Sequence, residues 1–76
     1  MREKVIEILA ELRPEFDFNK EITGFTAKGM LDSFDIISIV SDIEDSFDIS
    51  IDGSHILPEN FDSVEAILNL INKNKV

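Results

Sequence analysis

The chain has 76 residues, a formal net charge of −9 and no cysteine. A domain of this size buries only about 60% of its unfolded surface, which leaves little room for a deep catalytic cleft. The absence of cysteine excludes disulfides and thiolate metal sites, and no apolar run approaches the roughly 18 residues of a transmembrane helix. We therefore expect one domain over residues 1–76 that is soluble, cytoplasmic and monomeric.

Negative charge is concentrated in one long stretch. From Gly29 to Asn72 the sequence has ten Asp or Glu residues and no Lys or Arg. Such a surface repels nucleic acid and anionic membranes, so we expect neither nucleic-acid binding nor membrane insertion. It would attract a basic protein partner. An acidic surface that only aids solubility is the alternative, and charge alone does not separate the two.

The first predicted helix covers residues 2–13, and Pro14 ends it because residues before proline avoid the helical region. Its apolar positions recur at helical spacing and are Val5, Ile8, Leu9 and Leu12. Residues 14–31 have no clean period, so we predict a long loop, which is unusual in a small domain and often functional. The apolar residues that would hold this loop to the core are Phe16, Phe18, Ile22, Phe25 and Leu31.

Residues 33–47 have the strongest helical pattern. The predicted core stripe consists of Ile36, Ile39, Val40, Ile43 and Phe47. Asp32 precedes the first turn as an N-cap, and Asp35 places a second acid near the positive end of the helix. Residues 49–52 alternate like a strand, but we predict a loop because there is no second strand to pair with it.

Residues 58–61 predict a short helical turn, and the last helix is expected to open with Asp62 as its cap and Glu65 three residues on. Its apolar face comprises Val64, Ile67, Leu68 and Ile71. Lys73 and Lys75 come at its end, where cations interact favourably with the helix dipole. The predicted fold class is all-α, with three main helices, one short helix and a long first loop.

The tripeptide Asp-Ser-Phe occurs twice, at residues 32–34 and 45–47. Ser46 is an ordinary polar residue on a helix. Ser33 lies in a first helical turn, where free backbone N–H groups and the positive end of the dipole would stabilise a phosphate. A helix-start serine without chemistry is the alternative interpretation.

Phe34 and Ile37 lie off the core stripe of this helix. Apolar side chains therefore flank Ser33 on a face that the core does not need. One interpretation is a partner-binding patch. The other is that Phe34 packs against the long loop, since single exposed apolar residues are common.

At these residues the sequence resembles the acyl carrier protein family. The match comprises GMLDSFD at residues 29–35, the Ile-rich helix ending in EDSFD at residues 44–48, and FDSVEAI at residues 61–67. It covers nearly the whole chain. The resemblance implies a small four-helix bundle in which Ser33, after Asp32, carries a 4′-phosphopantetheine arm. The thiol of that arm would hold an acyl or aminoacyl group as a thioester.

The resemblance implies a carrier rather than an enzyme. Nothing near Ser33 in the sequence could act as its base, so Ser33 would be the substrate of a phosphopantetheinyl transferase that uses coenzyme A. Further implied partners are a loading ligase and acyl-using enzymes with basic docking surfaces. We expect the second helix to be the docking element, with single acids contributing only about 0.2–1 kcal/mol each. The predicted partner-binding residues are Phe34, Asp35, Ile37, Ser41, Glu44 and Asp45.

The sequence departs from the fatty-acid-synthesis members of the family, which usually read Gly-Ala-Asp-Ser-Leu. This chain has Met30, Leu31 and Phe34 in that motif, and Ser41 falls where those members place a large apolar residue. The Leu-Asp-Ser-Phe version is more similar to D-alanyl carrier proteins and stand-alone carriers of specialised pathways. The cargo therefore stays open among fatty acyl, polyketide, amino acid and D-alanine.

Two alternatives to a carrier follow from the sequence. The first is an EF-hand-like calcium loop over residues 48–59, with oxygen ligands at Asp48, Ser50, Asp52 and Glu59. Isoleucines at its second and fourth positions and Pro58 at its eleventh argue against it, so we expect no specific metal site. His55 is expected to be exposed in this polar loop. The second alternative is an acidic protein-interaction domain in which Ser33 stays unmodified.

Overall fold

Three α-helices and two short 3₁₀ helices form the regular structure of this computed structural model, which describes residues 2–20 and 23–74. In chain order they are α1 (Arg2–Leu12), α2 (Ser33–Phe47), η1 (Gly53–His55), η2 (Pro58–Phe61) and α3 (Val64–Asn74). Every regular element in these residues is helical, which confirms the all-α prediction. The predicted positions of Ile22 and Lys75 lie outside the described residues.

The core lies between the three α-helices. Helix α1 packs against α2 and α3, and η2 packs against α2 and α3. The buried helical side chains are Val5, Ile8, Leu9, Ile36, Ile39, Ile43, Val64, Ile67, Leu70 and Ile71. Most positions of the predicted stripes are therefore confirmed, because a helix brings residues three and four apart onto one face. The remaining predicted positions are half-buried and pack against this core; they are Leu12, Val40, Phe47 and Leu68. On α3 the prediction omitted Leu70, which is fully buried.

The connection between α1 and α2 is folded onto the core by its apolar residues. Phe18, Phe25, Met30 and Leu31 are all buried. The rings of Phe18 and Phe25 meet edge to face with their centroids 5.2 Å apart, an arrangement that aromatic pairs favour. The backbone N–H of Phe25 also donates to the carbonyl oxygen of Asp62 at 2.9 Å. The connection that leads into Ser33 is thus attached to the start of α3.

Ser63, rather than Asp62, caps α3. The Ser63 hydroxyl accepts the backbone N–H of Ala66 at 2.9 Å, as an N-cap serine does. The carboxylate of Asp62 instead accepts hydrogen bonds from Thr26 and Ala27 in the long connection. The predicted Asp62 cap was wrong because α3 begins at Val64, so that Ser63 occupies the N-cap position while the Asp62 carboxylate is bonded to Thr26 and Ala27.

The segment between α2 and η1 is irregular, as predicted, and no strand occurs in residues 2–20 and 23–74. Ile51 is nevertheless buried and joins the core. The radius of gyration is 11.1 Å, close to the roughly 11 Å expected of a compact domain of this length. Within the described part of the chain, no helix combines the length and apolarity that crossing a bilayer requires.

Candidate functional site

Ser33 is the first residue of α2, and its side chain is exposed. The connection before it is held in place by the burial of Met30 and Leu31 and by N–H bonds from both residues to the carbonyl oxygen of Phe25, at 2.8 and 3.1 Å. Gly29, at the turn before them, has a φ of +76°, a conformation that glycine adopts without steric cost. The connection thus fixes the start of α2 and leaves the Ser33 hydroxyl exposed to solvent.

Asp32 and Asp35 form a reciprocal capping box around Ser33. The backbone N–H of Asp35 donates to Asp32 Oδ1 at 3.0 Å, and the N–H of Asp32 donates to Asp35 Oδ2 at 3.0 Å. Two of the N–H groups that a helix start leaves without helical partners are therefore satisfied. The N-cap role of Asp32 predicted from the sequence is confirmed.

Arg13, which follows α1, reaches this box. Its Nε and Nη2 donate to Asp35 Oδ2 at 3.0 and 2.7 Å, and Nη2 lies 3.5 Å from Asp32 Oδ2. Nη1 lies 3.4 Å from a carboxylate oxygen of Glu15. One guanidinium therefore contacts the acids on both sides of Ser33 along the chain.

The environment of Asp35 favours its ionised form. Burial alone would raise the pKa of Asp35, but the hydrogen bonds from Arg13 and from the Asp32 backbone outweigh it and hold that pKa below its usual value. Asp35 is only 7% exposed. It was predicted as a partner-binding acid, but its carboxylate is buried and bonded to Arg13, so it presents little surface to a partner.

Phe34 and Ile37 are exposed, at 80% and 64% of their surface. Phe34 does not pack against the long loop, so the structure rejects that interpretation. At 100° per residue, both lie on the same side of α2 as Ser41 and Asp45, which are also exposed. We call Phe34, Ile37, Ser41 and Asp45 the exposed face of α2.

Glu44 borders this face, seven residues after Ile37, and has a different role. It is half-buried, and its Oε2 accepts the backbone N–H of Ile51 at 2.9 Å. Glu44 was predicted as a partner-binding acid, but this hydrogen bond holds the segment after α2 in place. Asp42, which is exposed, remains accessible beside Asp45.

Residues 48–59 do not have the arrangement of an EF-hand. Asp48 ends α2 in the left-handed conformation, and Asp52 Oδ1 accepts the N–H of Ser54 at the start of η1. Pro58 then begins η2 rather than an exit helix. No group of three or more potential metal ligands occurs among residues 2–20 and 23–74.

His55 is half-buried rather than exposed, contrary to expectation. Its Nδ1 lies 3.3 Å from the amide nitrogen of Asn74 at the end of α3, and its carbonyl oxygen accepts from the amide of Asn60 at 2.7 Å. Asn74 Oδ1 also accepts the N–H of Asp52 at 3.0 Å. His55 therefore belongs to the contacts between η1 and α3.

Comparison with known proteins identifies no relative: the chain matches no family model, no curated protein and no solved structure.

The residue that sequence analysis missed at this site is Arg13. It lies 22 positions before Asp35 in the chain and belongs to no recognisable motif. The sequence feature that could have indicated such a residue is the absence of Lys and Arg from Gly29 to Asn72. A buried acid in such a stretch must take its cation from elsewhere, because an unpaired buried charge is costly.

Proposed function

We propose that this chain is an acyl or aminoacyl carrier protein that bears 4′-phosphopantetheine on Ser33. The observation that carries the proposal is the exposure of Ser33 at the first position of a capped helix, within the segment that resembles the carrier family. Partners would reach the hydroxyl without unfolding the chain. The arm would hold its cargo as a thioester and deliver it to other enzymes, and the chain itself would perform no catalysis.

The modification is a phosphoryl transfer. Ser33 Oγ forms a bond to the pantetheine-bearing phosphorus of coenzyme A while the phosphoanhydride bond breaks. The adenosine bisphosphate leaves with the bonding electrons, and the serine proton passes to a base of the transferase. Backbone N–H groups and the positive dipole end of α2 favour a phosphodiester at this position.

The finer architecture proposed here is the four-helix bundle of that family. In this arrangement η2 takes the place of the short helix. The packing of η2 supports this assignment: the ring of Phe61 in η2 is fully buried, and η2 packs against both α2 and α3. The proposal includes a single carrier domain that is monomeric and cytoplasmic.

The exposed face of α2 is proposed as the surface that partners contact. Phe34 and Ile37 supply apolar area next to Ser33, and Asp45, two to three turns further on, supplies charge. Partners with basic docking surfaces would be a phosphopantetheinyl transferase, a loading ligase and acyl-using enzymes. Apolar contacts chiefly determine how slowly such complexes dissociate, and charges chiefly how fast they form.

Intact-mass measurement tests the proposal. The protein is incubated with coenzyme A and, in parallel, with several phosphopantetheinyl transferases of broad specificity. We expect wild type to gain the mass of one arm, Ser46→Ala to gain it equally, and Ser33→Ala to gain none. Wild type that stays unmodified with every transferase would refute the carrier proposal and favour an acidic interaction domain built on the same exposed face.

A further inference from the structure

Arg13 joins the end of α1 to the start of α2. Asp35 Oδ2 accepts the backbone N–H of Asp32 and also the Nε and Nη2 hydrogens of Arg13. The oxygen that closes the capping box is therefore the oxygen that the guanidinium holds. A displacement of Arg13 would therefore be transmitted through Asp35 to the Asp32 backbone, one residue before Ser33.

The side chain of Asp32 has two restraints as well. Its Oδ1 accepts the N–H of Asp35 at 3.0 Å, and its Oδ2 lies 3.5 Å from Arg13 Nη2. These contacts restrict the rotation of a carboxylate that is otherwise open to solvent. Planar guanidinium groups suit this task because their donors keep a fixed relative geometry.

Charge gives a second reason for a cation at this position. Glu15, Asp32 and Asp35 all have carboxylate oxygens within 3.5 Å of Arg13 nitrogens. Without Arg13 these acids would repel one another, and Asp35 would be buried without a cation.

We propose that Arg13 is a positioning residue for the modification of Ser33. It holds Asp35, and through Asp35 the backbone of Asp32, so that the backbone that carries the Ser33 hydroxyl keeps one position at the start of α2. This inference rests on the proposed carrier function. Arg13 acts through the capping box and takes no proton from Ser33.

Transferase kinetics on three variants test the inference. Arg13→Gln removes the cation. Arg13→Lys keeps the charge, but its single nitrogen cannot replace the two donors Nε and Nη2 in their fixed geometry. Arg2→Gln is the matched control, because Arg2 also belongs to the α1 region but pairs with the exposed carboxylate of Glu65. Rates are measured well below the melting temperature of every variant, where circular dichroism shows each to be fully folded.

Under these conditions a purely structural role of Arg13 would lower the melting temperature and leave the rate unchanged. A positioning role predicts that Arg13→Gln lowers kcat about tenfold while KM changes less than about threefold, since small misplacements of a reacting group slow the chemical step. Arg13→Lys should lie between wild type and Arg13→Gln, and Arg2→Gln should match wild type. Wild-type kcat in Arg13→Gln would overturn the inference.

Amide hydrogen exchange tests the same inference without a transferase. In wild type the N–H groups of Asp32 and Asp35 should be protected, because each donates to a carboxylate of the box. Arg13→Gln should accelerate the exchange of both at least about threefold and shift the Ser33 amide resonance, while Arg2→Gln changes neither. Unchanged exchange in Arg13→Gln would overturn the positioning role. Failure of every transferase on wild type would instead refute the carrier function and leave this measurement valid.

Discussion

Thr26 donates two hydrogen bonds to Asp62 Oδ1, from its backbone N–H at 3.0 Å and from its hydroxyl at 2.7 Å. The two residues are 36 positions apart. The N–H of Ala27 donates to the same oxygen at 3.2 Å. This carboxylate holds the connection before Ser33 against the segment that leads into α3, so the candidate site depends on a contact distant in sequence.

Replacing Asp62 should destabilise the fold. Asp62→Ala leaves the Thr26 and Ala27 donors without their acceptor, and we expect the free energy of unfolding to fall by about 1–2 kcal/mol. Urea denaturation followed by circular dichroism measures this change. Glu59→Ala is the control, because Glu59 is exposed on neighbouring η2 and should shift stability by less than about 0.5 kcal/mol. Equal effects of the two substitutions would contradict the role given to Asp62.

The contribution of Asp62 should depend on pH. Hydrogen bonds from the Thr26 hydroxyl and the Ala27 N–H hold the pKa of Asp62 below its usual value. Its stabilising effect is therefore complete above the unfolded-state pKa of about 3.9 and is lost as pH falls through the lower folded-state pKa. The difference in unfolding free energy between wild type and Asp62→Ala should stay constant from neutral pH to about pH 5 and shrink below pH ~4. A difference that grows on acidification would reject this assignment.

Phe25 and Phe34 differ in burial, so replacing them should affect stability differently. Phe25 is fully buried against Phe18, whereas Phe34 is 80% exposed. Phe25→Leu should lower the free energy of unfolding by about 1–2 kcal/mol through lost packing and the lost aromatic pair. Phe34→Leu should change it by less than about 0.5 kcal/mol. Urea titrations of both variants check the contrast, and similar losses would show that Phe34 packs against the protein.

Replacing two neighbouring acids on α2 should change the stability of the protein by different amounts. Glu44 accepts the N–H of Ile51, whereas Asp45 is exposed. Glu44→Ala should reduce stability by about 1 kcal/mol, and Asp45→Ala should leave it nearly unchanged. Thermal unfolding at neutral pH compares them. A stability loss confined to Asp45→Ala would mean that the contact between Glu44 and Ile51 contributes nothing.

If partners dock on the exposed face of α2, as proposed, their binding should depend on salt. Asp45→Lys should slow association with a transferase at low ionic strength and matter less at high ionic strength, because salt screens exposed charges. Ile37→Ala should instead speed dissociation at every salt concentration. The control is Glu11→Lys, which makes the same charge change on α1, outside this face. Stopped-flow binding against ionic strength measures the rates, and equal effects of Asp45→Lys and Glu11→Lys would reject this surface.

Helix positions and the faces they bury were predictable from the sequence. The bounds of α2 and the burial of Ile36, Ile39 and Ile43 follow from a local repeat. The exposure of Ile37 follows from the same repeat, since it places this residue off the buried stripe. The N-cap role of Asp32 was also predictable, because a capping box involves residues only three positions apart.

The partners of three other acids were decided only by the tertiary structure. Asp35 and Glu44 were both predicted as partner-binding acids and Asp62 as a helix cap. In the structure Asp35 pairs with Arg13, Glu44 accepts from Ile51 and Asp62 holds Thr26. Helical periodicity reflects backbone geometry repeated along a few turns. The partner of a carboxylate depends on which donors the packed chain brings within about 3 Å, and two of these donors come from residues 22 and 36 positions away.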